Sequence, residues 1–238
     1  MDGPGGGFHG RLPAKTGAEM SLTMPEEILL LLLDDETGKP VGLPGPAGDL
    51  ALAGAILMEL ALAGRIDTDL DRLVLVQQRP TGDALLDGVL ARLVAGNTAG
   101  ERTSRWWIQD IAKSGPALRA QVLERLVDGG VLRRIEDRFL WVFPERRYPK
   151  ATGRAETAEV RRRLRGVLLE DEIPDPRDAL LIGLAKASGL VPLVLSEEER
   201  AQAAARVDQV AGLEELSRSL SAATRDVYAT LLRQGAMH

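Results

Sequence analysis

The chain has 238 residues, 45% of them hydrophobic and 27% charged, with a formal net charge of −5. It is long enough for a substantial core and has the composition of a globular protein. It holds no cysteine and only two histidines, His9 and His238, so disulfide and thiolate chemistry are excluded and catalysis or metal binding through histidine is disfavoured.

Residues 1–20 are Gly-rich and read as a disordered leader, with Met20 expected as the true initiator. No segment reads as a signal peptide or a membrane span. The apolar run at 50–63 carries Glu59 and is shorter than the roughly 20 residues a span needs. A single globular helical domain is therefore expected over 21–238, mainly α, with one or two short β-hairpins. Thr23 followed by Met24, Pro25, Glu26 and Glu27 is a helix-start signal, predicting a short helix to about Leu33. A Gly- and Pro-rich loop follows to Pro46. Asp49 is expected to cap a helix over 50–63 that is apolar on nearly every face and so central, with Gly64 ending it.

Residues 65–78 alternate as a short strand pair, and Pro80 to Asp83 turns into a helix with apolar residues at helical spacing from Leu85 to Val94. Asp83 and Asp87 lie on one helix face, but Asp83 reads as an N-terminal cap and Asp87 as a solvated or salt-bridged residue. A helix over 105–112 carries Trp106 and Trp107. Neighbours on a helix sit about 100° apart, so one ring is core and the other lies at a rim or over an arginine such as Arg102 or Arg105. A helix from Pro116 to Asp128 ends at Gly129-Gly130. A basic helix spans 157–170, with Arg161, Arg162, Arg163 and Arg165 read as a solvated, salt-bridged face. Asp175 and Pro176 open a helix over 177–188, Ser196 opens another to Val210, and a last helix ends near Leu232.

Between the glycine pair and the basic helix, residues 131–144 read as a β-hairpin with arginines at its bend and an apolar second strand. Phe139, Trp141 and Phe143 are expected on one face of that strand, with Leu140 and Val142 on the other. One face packs on the core. The other is open to two readings, burial within the chain or contact with a membrane or a second copy. Six of the eight aromatic residues lie between 106 and 148, and residues 133–165 hold 11 Lys+Arg against 5 Asp+Glu. Arg133, Arg134, Arg138, Arg146 and Arg147 are therefore candidates to meet anionic headgroups, each worth about 1 kcal/mol near a charged membrane. No GxGxxG or GxxxxGK[ST] motif occurs, so those nucleotide-binding routes are unsupported. Binding, not catalysis, is expected, with no cofactor and no metal.

The order of these segments resembles the Golgi phosphoprotein 3 family. The resemblance rests on Leu22 to Leu31, Gly54 to Arg65, Pro80 to Asp87, Trp107-Ile108, Arg125 to Leu132 with the hairpin after it, and Arg177 to Gly189, and it covers Ser21 to about Leu232. It implies a mainly helical domain that attaches peripherally to membranes in the cytoplasm and binds phosphatidylinositol 4-phosphate. It also implies capture of protein tails and oligomerisation through the hairpin; the composition looks like that of a bacterial relative. The family's headgroup pocket uses a tryptophan and an arginine before the central helix and two basic residues three apart before the hairpin. Here those positions fall near Pro44 and on Ala53, Pro116 and Arg119, so Arg119 alone is retained. Lys113 is a candidate to replace a lost cation. The alternative is a winged-helix-like nucleic-acid-binding module, from the helix, glycine break and basic hairpin, against which the net charge of −5 argues.

Overall fold

The computed structural model describes residues 22–41, 45–69, 72–97, 102–139, 143–150 and 153–212. Among them are eight α-helices, one 3₁₀ turn and two separate two-stranded antiparallel sheets, the mainly helical architecture expected. The leader, the final helix and Trp141 lie outside the described residues.

Helix α2 (Pro46–Leu62) is the axis of the molecule. From Leu50 to Met58 every residue is buried, because α1 (Met24–Leu31), α4 (Ser104–Ala112), α5 (Gly115–Asp128) and α7 (Pro176–Ala187) pack around it. An all-round apolar surface requires such a position. The helix begins earlier than expected. Gly45 is its N-cap and Pro46 its first residue, so Asp49 lies inside the first turn and does not cap it. Its end is as expected. Gly64 adopts φ +66°, and the Gly64 and Arg65 amides donate to the Ala61 and Leu60 carbonyls, closing the helix with a left-handed residue.

Strands β1 (Ile66–Asp69) and β2 (Arg72–Leu75) form the first hairpin, with Ile66 and Leu73 turned into the core. Helix α3 (Ala84–Asn97) follows, capped as expected by Asp83, whose carboxylate accepts from the Leu85 and Leu86 amides. Helix α6 (Gly153–Leu169) packs with α1, α7 and α8 (Glu197–Ala211) on the far side of the core.

The second hairpin departs from the expected register. Strand β3 (Ile135–Phe139) pairs with β4 (Phe143–Arg147), and Phe139 lies opposite Phe143. Phe139 and Phe143 thus stand on two paired strands, not on one face of a single strand. Arg138 stands in β3 opposite Pro144, not at a bend. The glycine pair belongs to the helix before it: the Gly130 and Val131 amides close α5 on the Val127 and Leu126 carbonyls. No turn dipeptide remains to place the reversal among the charged residues.

Candidate functional site

Three helix ends meet beside α2. The first turn of α2 brings Pro46, Asp49 and Leu50; the last turn of α4 brings Gln109, Ala112 and Lys113. Together they line an open cleft of about 360 Å³. The turn at Lys113-Ser114 is too short to carry α5 far, so the start of α5 abuts the same place. Gly115 lies against the Asp49 carboxylate so closely that any side chain there would collide with it.

Arg119, little more than a turn into α5, reaches across to α2 and pairs in close contact with Asp49. The arginine side chain is 38% exposed and the carboxylate 13%. Asp110, an acid of the same helix junction, is engaged elsewhere. It accepts from Arg92 at 2.9 Å and from Lys113 at 3.1 Å, while Arg92 also donates to the Ser114 hydroxyl at 3.0 Å. Partial burial alone would raise the Asp110 pKa, but hydrogen bonds from Lys113 and Arg92 hold it below the ordinary carboxylate range. Lys113 remains largely exposed at the cleft wall while donating to Asp110.

The tryptophan pair divides as its spacing requires. Trp107 is buried against Gly96, and Trp106 is half-buried with its ring edge-on to it. The Arg102 guanidinium sits 3.7 Å from the centre of the Trp106 ring, and the Lys113 ammonium 5.9 Å from it. Trp106, Gln109 and Lys113 follow at i, i+3 and i+7, so one helix stripe carries an aromatic ring flanked by cations up to the cleft.

The hairpin candidates are only partly brought together. Arg133 is exposed and forms no ion pair among the described residues, and its amide donates to the Pro149 carbonyl at 2.9 Å. Arg134 pairs closely with Glu124. The side chains of Arg138, Phe139 and Phe143 lie outside the described residues, as does Trp141. Much of the basic excess downstream is neutralised by acids from elsewhere in the chain. Arg161 reaches Asp35 at 2.7 Å, Arg163 reaches Glu27 at 3.0 Å and Asp178 at 2.9 Å, and Arg165 reaches Glu199 at 2.7 Å. The salt-bridged reading of this helix is right, but three of its arginines face other elements instead of solvent. Asp87 forms no ion pair among the described residues and is not merely solvated, since it accepts from the Thr81 and Gly82 amides and holds the turn before α3.

Sequence reasoning missed Asp49 as the partner of Arg119. The two are 70 positions apart and only the packing of α5 on α2 joins them, so no local signal existed. The arrangement defines a helical domain with a surface cleft at the junction of α2 and α4, lined by Lys113 and Asp49 among apolar residues, with the start of α5 beside it. A family model for Golgi phosphoprotein 3 (GPP34) matches residues 24–231, and the chain belongs to that family.

Proposed function

We propose that this protein is a peripheral membrane adaptor that receives an anionic lipid headgroup, a phosphoinositide by family kinship, in the cleft between α2, α4 and α5. One observation carries the reading. The one family headgroup residue retained in the sequence, Arg119, pairs with Asp49 of the cleft lining, which also holds Lys113, and a cation-stacked tryptophan lies on the same helix as that lysine. A phosphate needs several converging cationic donors, and an aromatic ring beside cations suits the membrane interface. Among the described residues no helix is long and apolar enough to cross a membrane, which fits attachment at the surface. Nothing in the reading calls for catalysis. Self-association through the β3–β4 hairpin and capture of a protein tail belong to the same proposal.

Flotation with phosphatidylcholine vesicles, plain or doped with phosphatidylinositol 4-phosphate, tests it. The protein should float with the doped vesicles only, and Arg119→Ala should weaken binding about tenfold, the loss of one charge-assisted contact. Equal recovery of wild type and variant from both vesicle types would remove the reading. Binding to duplex DNA in place of vesicles would favour the nucleic-acid alternative.

A further inference from the structure

Resting on the headgroup reading, we infer that Asp49 is a built-in occupant of the anion position. The chain's own carboxylate sits where an incoming phosphate would bind, and a ligand must displace it. Arg119 directs its guanidinium at Asp49, and that carboxylate is packed against Gly115 at the start of α5. A half-exposed guanidinium holding one carboxylate beside an open cleft is a place where an anion binds, and the anion in it belongs to the protein. Gly115 is what lets the carboxylate approach, since any larger residue would push it away. Asp49 lines the cleft, and its partner Arg119 stays 38% exposed, so a competing anion can reach the guanidinium.

The occupant sets selectivity. A monoanionic phosphodiester offers Arg119 the same charge as the carboxylate already there and gains little by exchange. A phosphomonoester carries close to two charges near neutral pH and can both displace Asp49 and engage Lys113. The site should therefore discriminate by charge per phosphate, not by total surface charge of the bilayer.

The test uses the full chain on two vesicle types of equal surface charge. One is phosphatidylcholine doped with phosphatidylinositol 4-phosphate, the other phosphatidylcholine doped with phosphatidylserine. Asp49→Asn keeps the shape and removes the charge; it should bind the monoester vesicles about fivefold tighter, the worth of one half-exposed ion pair. Asp49→Ser, smaller and still polar, should shift affinity in the same direction, which keeps the test decisive if the amide variant folds poorly. Adding Arg119→Ala should cancel the gain. If Arg119→Ala weakens binding but neither Asp49 variant strengthens it, the carboxylate is not a competitor and the inference falls while the headgroup reading stands. If wild type, Arg119→Ala and the Asp49 variants bind alike on both vesicle types, the headgroup reading falls and takes this inference with it.

Discussion

Glu27 is almost completely buried, yet it carries a charge network. It accepts from Arg163 and Arg177, each at 3.0 Å, and these arginines also bind Asp178 and Glu59. Burial pushes the Glu27 carboxyl above the usual range even though Arg177 and Arg163 pull it down. Removing one cation strands buried carboxylates, so Arg163→Ala should cost about 3–5 kcal/mol in urea unfolding. Glu199 shows the opposite balance. Hydrogen bonds from Arg165 and the Ser196 amide lower its pKa from 4.5 to about 2. The folded chain thus holds that proton less tightly than the unfolded one, and the stabilisation is complete above about 4.5 and lost as pH falls toward 2. Glu199→Gln should flatten melting temperature against pH across that window and leave the slope near neutrality unchanged. At this scale, local chemistry was readable and distant pairing was not. The Asp83 cap and the division of Trp106 from Trp107 follow from spacing of a few residues, whereas Glu27 finds Arg163 across 136 positions.

The acidic turn after α1 and the base of the β3–β4 hairpin are one unit. Asp35 accepts from Arg161 and, in close contact, from Lys150, whose side chain is fully buried. The Tyr148 amide donates to the Gly38 carbonyl at 3.2 Å. Gly38 has φ +65°, and a methyl group there would collide with the Tyr148–Pro149 backbone. Gly38→Ala should therefore destabilise the protein by about 1–3 kcal/mol and speed amide exchange at residues 132–135 and 148–150 beyond the rest of the chain. The sequence located the helices to within a few residues because caps and glycines mark their ends. It misplaced the hairpin reversal because alternating rings at 139, 141 and 143 fit a strand as well as they fit two strands meeting. The Phe139–Phe143 pairing decides between them and is visible only in three dimensions.

Across the whole molecule, an acidic chain carries a locally basic segment whose charges, among the described residues, are largely turned inward or matched. In the proposed attachment to an anionic surface, the cations available among the described residues near the cleft and the hairpin base are Arg119, Lys113, Arg102 and Arg133. The cleft lies at the N-terminal end of α5 and Arg133 just beyond its C-terminal end, about 20 Å apart for 14 residues. Both meet one bilayer only if α5 lies near the membrane plane. Arg133→Glu should accordingly weaken binding to anionic vesicles about fivefold or more, with a smaller effect at high salt, as flotation over a salt series would show. Hydrogen exchange on the vesicle-bound protein tests the central claim most directly. With phosphatidylinositol 4-phosphate present, amides of residues 46–50 and 109–119 should slow more than any others among the described residues. Unchanged exchange there, with slowing confined to the β1–β2 hairpin or to α8, would contradict the account.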